Sequence, residues 1–147
     1  MTLLVPFDGS ELSEAALERA TEFADFAGED VLVLTVVPDE VEYALSRNWL
    51  GPDEPFDPEA VAERFRERVA DIAPEAEFRH EVPEDVSSMA SLRTDVIRTI
   101  RAVAHEVEAS VVFIGSENAG RVSSPVSSVG APVSEDPGYD VYIIRHP

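Results

Sequence analysis

The stretch TLLVPFDGSELSEAALERATEFADFAG, residues 2–28, predicts the first strand, turn and helix of the protein. Its apolar beginning at 2–7 is typical of a short buried strand, which Asp8-Gly9-Ser10 interrupts. Ser10 is a suitable N-cap for a helix, and Gly28 is a suitable residue to end it. Between them, apolar residues recur every three or four positions and define one helical face: Leu12, Ala16, Ala20, Phe23 and Ala27. The segment therefore predicts a β–α unit at the start of the fold.

Four further segments have the composition of strands. VLVLTVV at 31–37 and SVVFI at 110–114 are almost wholly apolar, as expected for strands covered on both faces of a sheet. FRHEV at 78–82 alternates between apolar and charged residues, which predicts an edge strand with one face in water. YDVYIIR at 139–145 closes the chain and is rich in residues that favour strands.

Two further helices are predicted from their start signals and apolar spacing. Asp57-Pro58-Glu59 combines a cap, a proline suited to the first helical position and an acid facing the positive helix end. Residues 92–107 carry apolar side chains at helical spacing, with Ser91 as the predicted cap. Together with the strands, these helices predict an alternating α/β order.

Two long connections separate these elements. Residues 38–57 are rich in Pro, Asp and Glu and predict a long surface excursion that includes one helical turn. Within them, Trp49 either covers an apolar patch or serves an interface. Residues 117–138 contain four glycines and prolines before Pro137, so the last helix is expected to be weak or broken.

The complete order, β-α-β-α-β-α-β-(weak α)-β, predicts the α/β class. We expect one domain over residues 1–147, built as an open parallel sheet of five strands with helices on both faces. In such sheets, ligands bind at the carboxyl ends of the strands, where the winding reverses.

The charge of the chain disfavours several kinds of partner. The 147 residues include 30 acidic and 11 basic side chains, a formal net charge of −19, and every basic residue is arginine. Nucleic acids and anionic membranes are bound by neutralising negative charge with Lys and Arg, so neither is expected as a partner. The acidic surface either promotes solubility in general or marks a halophile-type protein, whose self-repulsion a salt-rich cytoplasm screens.

Composition also narrows the compartment and the chemistry. The longest apolar runs, 31–34 and 111–114, are far shorter than the roughly 20 residues of a membrane span. The first residues lack the basic segment of a secretion signal, so we expect a cytoplasmic protein. The absence of cysteine excludes disulfides, thiolate nucleophiles and cysteine-based zinc sites. No H-E-x-x-H spacing occurs, and a structural metal is not expected.

Two strand ends have the composition of a ligand site. Asp8-Gly9-Ser10 follows the first strand and Gly115-Ser116 follows the fourth, and the backbone N–H groups of such small polar turns can face an anion. The chain contains no G-x-x-x-x-G-K-[ST], G-x-G-x-x-G or G-x-S-x-G motif, which disfavours three common kinds of site.

Four stretches resemble the universal stress protein family: LLVPFDGSELSEAALERATEFA (3–24), VLVLTVVP (31–38), EASVVFIGSENAGR (108–121) and PVSSVGAPVSEDPGYDVYIIR (125–145). The resemblance implies a Rossmann-like fold of the adenine nucleotide alpha hydrolase type, with strand order 3-2-1-4-5. It also implies a homodimer that pairs through the last strand, Tyr139–Arg145. That strand carries no basic residue before Arg145, so it lacks a common protection of sheet edges. The alternative is that residues 117–138 cover this edge.

The resemblance also implies which residues contact an adenine nucleotide. They are Asp8, Val36, Val37, Gly115, Ser116, Asn118, Gly120 and Ser128. Each has a structural alternative: Asp8 is equally suited to a turn, the two valines to strand packing, and Ser128 to the start of a short helix.

The phosphate loop departs from the pattern of nucleotide-binding members of the family, which is Gly-x-x-Gly, about nine residues, then Gly-Ser or Gly-Thr. Gly115 matches the first glycine, but Asn118 replaces the second and Ser127-Ser128 replaces the later pair. A second alignment, Gly120 to Gly130-Ala131, restores the spacing but loses the terminal hydroxyl and the match of the first pair. We therefore expect a degenerate loop with weak, altered or absent binding of ATP or AMP, and Mg²⁺ only if ATP binds.

Two functional hypotheses follow. The first is a homodimeric binding or regulatory module without turnover of its own. The alternative is a nucleotide-dependent enzyme on the same scaffold, performing nucleotide hydrolysis or nucleotidyl transfer. The lack of lysine and of clustered histidines removes the usual phosphate activators and bases, which disfavours the enzyme. A receiver-like signalling domain is disfavoured as well, because it needs several acids after the first strand and a lysine near the last.

Overall fold

The computed structural model describes residues 1–83, 89–116 and 138–147 of the chain. In chain order its elements are β1 (Thr2–Pro6), α1 (Glu11–Ala27), β2 (Asp30–Val36), α2 (Val41–Ser46), α3 (Pro58–Ile72), β3 (Glu77–Glu81), α4 (Met89–Glu106), β4 (Ala109–Gly115) and β5 (Asp140–Ile144). The predicted weak last helix falls at 117–138 and, apart from Gly138, lies outside the described residues.

The five strands form one parallel sheet in the order β3-β2-β1-β4-β5. The predicted α/β class and the strand order are therefore confirmed. The chain leaves β1 toward β2 and β3 on one side, then crosses to β4 and β5 on the other. The winding thus reverses between β1 and β4, which places the expected ligand region above the carboxyl ends of these two strands.

The helix signals agree with the structure at three of four points. The Ser10 side chain accepts a hydrogen bond from the N–H of Ser13 at 3.2 Å, and Gly28 ends α1 with φ +70°. Asp57 caps α3 by accepting from the N–H of Glu59 at 3.1 Å. The prediction that Ser91 caps the next helix is wrong, because α4 already begins at Met89 and Ser91 has helical backbone.

Side chains from both faces of the sheet form the core. Helices α1 and α3 cover one face and α4 covers the other, as their shared clusters with sheet residues show. Burial on α1 ends at Ala20, although the predicted apolar face continues to Ala27. The ring centroids of Phe23 and Phe113 lie 5.8 Å apart, yet 39% of Phe23 is exposed. The last turns of α1 therefore carry apolar side chains that the described part of the chain does not cover.

The expectation of a surface excursion over residues 38–57 needs correction. This segment contains the six-residue helix α2, and its residues Tyr43, Ala44 and Trp49 are buried in a third cluster with Val37 and Val61. The aromatic rings remove apolar surface from water, which outweighs the polar composition around them. Trp49 thus covers an apolar patch.

Among the described residues, no helix has the length and apolar character needed to cross a bilayer.

Candidate functional site

The turns after β1 and β4 lie side by side at one edge of the sheet. These strands are parallel neighbours, so their carboxyl ends reach the same edge. Gly115, the last residue of β4, lies against the first turn of α1: a Cβ at this position would come within 2.8 Å of Leu12 Cβ. The structure therefore brings together Asp8-Gly9-Ser10 and Gly115-Ser116, as expected from the sequence.

Asp8 has a structural role in its turn. One carboxylate oxygen accepts a hydrogen bond from the N–H of Ser10 at 3.0 Å, which holds the chain as it enters α1. Gly9 follows with φ +82°, and a Cβ there would lie 2.8 Å from a ring carbon of Phe65. Glycine is therefore required both by the backbone angle and by the approach of α3.

The other carboxylate oxygen of Asp8 forms an ion pair with Arg47. Arg47 Nη1 lies 3.3 Å from Asp8 Oδ2, and the two side chains are 23% and 18% exposed. The Arg47 guanidinium also lies over the Tyr43 ring, 5.1 Å from its centroid. Arg47, the residue that directly follows α2, therefore supplies a positive charge to the turn after β1.

The side chain of Trp49 contacts the backbone of the same turn. Its indole N–H donates to the carbonyl oxygen of Asp8 at 3.0 Å, and its ring packs edge-on against Tyr43 and Phe65, with centroids 5.5 Å away in each case. Only 6% of Trp49 is exposed. Arg47 and Trp49 therefore form a wall beside Asp8.

Between this wall, α1 and α3 lies a cleft of about 680 Å³. Three arginines line it together with Asp8, Ser10 and Trp49: Arg47, Arg64 and Arg68. Three of the eleven basic residues of a strongly acidic chain thus line one cleft beside the candidate site. Its volume is within the usual range for sites that hold small molecules.

Two of these arginines have acidic partners outside the Asp8 turn. Arg64 donates to the carbonyl oxygen of Trp49 at 2.5 Å and pairs with Glu54 at 3.4 Å. Arg68 pairs with Glu14 at 2.5 Å, and this hydrogen bond and charge raise the pKa of the Arg68 guanidinium above its ordinary value. The anionic partner of Arg47 is Asp8 itself.

The two valines at the end of β2 are packed in the core. Val36 is 8% exposed and belongs to the cluster on the α4 face, whereas Val37 is fully buried beneath Tyr43 and Ala44. The N–H of Val37 donates to the carbonyl oxygen of Glu81 at 2.9 Å. Both side chains therefore have the packing role that the sequence left open for them.

The remaining predicted site residues divide into two groups. Ser116 directly follows β4 and is half-buried at the same edge as Asp8. Asn118, Gly120 and Ser128 lie outside the described residues. Within the described ranges, no group of three His, Asp or Glu side chains is arranged to hold a metal ion.

Sequence reasoning missed Arg47 and Arg64, and it considered Trp49 only as the cover of an apolar patch or as an interface residue. All three act through contacts with residues distant in the chain, which local periodicity does not report. The available signal was the pair Tyr43 and Trp49, two large aromatic residues within a segment otherwise typical of a surface loop.

A parallel sheet in the order 3-2-1-4-5, with polar turns at its point of reversal, defines the class of open α/β proteins that bind ligands above the strand ends. Within this class, the model of the universal stress protein family matches residues 1–145. The chain belongs to the universal stress protein family. No curated protein sequence matches it significantly.

Solved structures of universal stress proteins share this fold. One in complex with cAMP has a TM-score of 0.60 at 21% identity, with 100% of this chain and 98% of that chain covered. One from Archaeoglobus fulgidus in complex with dAMP has a TM-score of 0.58 at 19% identity, covering 99% and 98%. UspA from Lactobacillus plantarum has a TM-score of 0.57 at 22% identity, covering 99% and 97%. At these identities the likeness establishes the fold alone.

Proposed function

We propose that this universal stress protein is a cytoplasmic binding or regulatory module that takes an adenine nucleotide, AMP or ATP, at the carboxyl edge of β1 and β4. The observation that carries the proposal is the meeting of the Asp8-Gly9-Ser10 and Gly115-Ser116 turns where the winding reverses. The similar structures with bound cAMP and dAMP support the ligand class.

In this proposal Asp8 accepts a hydrogen bond from a ligand hydroxyl, since an ionised carboxylate accepts stronger hydrogen bonds than a neutral oxygen does. Gly115 lets the ligand approach the backbone closely, and Ser116 supplies a hydroxyl. Val36 at the end of β2, 8% exposed, supplies an apolar contact for the ligand, and the fully buried Val37 supports the site from within the core. Asn118, Gly120 and Ser128 complete the phosphate loop.

We propose further that the affinity for ATP is weak. A triphosphate adds several negative charges to a chain that already carries −19, so it must bring Mg²⁺ or be offset by nearby arginine. Asn118 stands where binding members of the family have glycine, and a Cβ there hinders close approach of phosphate to the backbone. A smaller nucleotide such as AMP requires less compensation.

The test of nucleotide binding compares Asp8→Ala with a matched control. Asp30→Ala removes the same charge from the opposite, amino-terminal edge of the sheet. Loss of a hydrogen bond to a charged acceptor costs about 1.5–3 kcal/mol, so Asp8→Ala should weaken AMP binding at least about tenfold. Asp30→Ala should bind as the wild type does. Equilibrium dialysis measures both, and equal affinity of the two variants would contradict the proposed site.

Purified wild-type protein also distinguishes a binding module without turnover from a nucleotide-dependent enzyme. Denaturing protein purified without added nucleotide and analysing the supernatant by absorbance and chromatography detects retained ligand. Stoichiometric ATP would contradict weak binding. Turnover of added ATP with Mg²⁺ would favour the alternative of a nucleotide-dependent enzyme over a module without turnover.

We also infer that the protein pairs with a second copy of itself through β5. Among the described strands, β5 lies at a sheet edge next to β4, and Tyr142 at its centre is 43% exposed. Phe23 and Phe26 on α1 are 39% and 90% exposed, and the Phe113 ring connects Phe23 to Tyr142. An apolar edge strand with exposed aromatic side chains beside it favours association.

We propose a salt-rich cytoplasm as the setting of this association. Two copies bring together a formal charge of −38, twice the −19 of one chain. Salt near 1 M reduces the reach of charge repulsion to about 3 Å. High salt therefore favours both the folded chain and its pairing.

A further inference from the structure

The Asp8 site already contains a positive charge that a ligand has to accommodate. Arg47 lies 3.3 Å from the Asp8 carboxylate, and both side chains are largely shielded from water. The Tyr43 ring lies beneath the guanidinium and packs edge-on against Trp49, so the residues that follow α2 are packed against the helix. Arg47 is therefore a packed component of the site, held by an ion pair and a ring contact.

This ion pair imposes a condition on a ligand that binds Asp8 at the oxygen that Arg47 occupies. A hydroxyl group that donates to Oδ2 from that position displaces the guanidinium from it. Separating a half-buried ion pair is costly when either charge is left without compensation. An uncharged ligand leaves Arg47 without an anion, whereas a ligand with a phosphate supplies one.

The neighbouring arginines do not impose the same condition. Arg64 pairs with Glu54 and Arg68 pairs with Glu14, and these acids do not belong to the Asp8 turn. Glu11 and Glu14 also line the cleft and oppose the entry of an anion. A bound phosphate therefore gains most from Arg47, the guanidinium whose own partner the ligand displaces.

We propose that Arg47 determines the specificity of the site, selecting nucleoside phosphates over uncharged nucleosides. The ligand exchanges with the ion pair: its ribose hydroxyl replaces Arg47 at Asp8, and one oxygen of its phosphate replaces Asp8 at Arg47 while the others face the Gly115-Ser116 turn. This inference rests on the proposed nucleotide-binding function and specifies the ligand class of that same site.

The test measures the ratio of AMP affinity to adenosine affinity by equilibrium dialysis at fixed salt. Arg47→Ala should lower this ratio about tenfold, the effect of losing one charge-assisted hydrogen bond. Arg47→Lys retains the charge and should restore most of the preference for AMP. Arg66→Ala is the matched control: it removes the same charge from α3, where Arg66 pairs with the exposed Glu63 and lies over Phe78.

Trp49, the single tryptophan, reports whether the cleft stays intact. The fluorescence emission typical of a buried indole should be retained in Arg47→Ala and Arg66→Ala. An unchanged ratio in a folded Arg47→Ala variant that still binds AMP would overturn the specificity role and leave the proposed function standing. Failure of wild type and Arg66→Ala to bind either ligand would instead refute the proposed function and this inference with it. If Trp49 becomes exposed in Arg47→Ala, the ratio of AMP affinity to adenosine affinity in Arg47→Lys is the deciding measurement. Loss of the preference for AMP in that variant overturns the specificity role of Arg47, and a retained preference supports it.

Discussion

The two edge strands of the sheet differ in how they meet solvent. β3 (EFRHE) is mostly charged, and Arg79 donates to Glu81 at 2.8 Å and to Glu106 on α4. The His80 ring lies 2.9 Å from Glu59. β5 (DVYII) carries one charged residue, Asp140, and its central Tyr142 stacks on the Phe113 ring with centroids 5.0 Å apart.

This difference indicates which edge is available for pairing. Charged side chains along an exposed edge oppose the docking of another strand, because their desolvation is costly. β3 has this protection, whereas the described residues around β5 do not supply it. The two edge strands of one sheet therefore differ in their protection against pairing, and β5 is the edge that we expect to pair.

The largest expected effect comes from making β5 resemble β3. Tyr142 is the central residue of β5, so antiparallel pairing about a two-fold axis brings the two copies together near this position. Tyr142→Lys places like charges there, and like charges across an interface cost several kcal/mol. We expect at least about a 100-fold weaker dimer, measured by sedimentation velocity over a range of concentrations.

The matched control places the same residue on the other edge. His80→Lys adds a lysine to β3, which is already charged, and retains a partner in Glu59. We expect this variant to dimerise as the wild type does. Loss of the dimer in both variants, each with an unchanged circular dichroism spectrum, would contradict a specific role for β5.

Salt concentration tests the same edge with an intermediate effect. Raising salt from about 0.1 M to 1 M shortens the Debye length from about 10 Å to 3 Å, which reduces repulsion between two chains of charge −19. We expect the wild-type dimer to tighten about tenfold and dialysis to low salt to promote unfolding. Sedimentation and far-UV circular dichroism measure the two effects. Full stability and unchanged pairing in dilute buffer would exclude the salt-rich setting.

The central strands and helix caps are predictable from sequence because their causes are local. A strand covered on both faces requires a continuous apolar run, as at 31–37, and a helix start requires a cap such as Ser10 or Asp57. The strand boundaries differ by at most one residue, and α4 begins three residues before its predicted start at residue 92. Chain order and charge at 78–82 also identify the edge strand β3.

The wall of the candidate site is not predictable in the same way. Arg47 and Trp49 contact Asp8 across 39 and 41 residues, and no sequence period links positions so far apart. Their placement follows from burial of the aromatic cluster over Val37, a tertiary effect. The turns of Asp8 and Gly115 are predictable because topology alone makes their strands neighbours.

The smallest expected effect concerns the ion pairs that protect β3. The hydrogen bond and charge of Arg79 lower the pKa of the Glu106 carboxyl below its ordinary value. A lowered folded-state pKa stabilises the protein above the unfolded-state pKa, and this stabilisation is lost as pH falls through the folded-state value. Arg79→Gln should therefore raise the Glu106 pKa, as measured by NMR titration. Its thermal destabilisation should be greatest near neutral pH and disappear in acid.

Arg98→Gln on α4 is the control, because Arg98 pairs with Asp95 and not with Glu106. It should leave the Glu106 titration unchanged. The stability change in Arg79→Gln should be small, since exposed ion pairs contribute little to folding. Arg79→Gln should shift the Glu106 pKa, leave stability nearly unchanged and allow some new self-association. This combination would show that the charges of β3 act mainly to exclude other strands. A large loss of stability without new association would assign them to folding instead, and the contrast between the two edges would then rest on β5 alone.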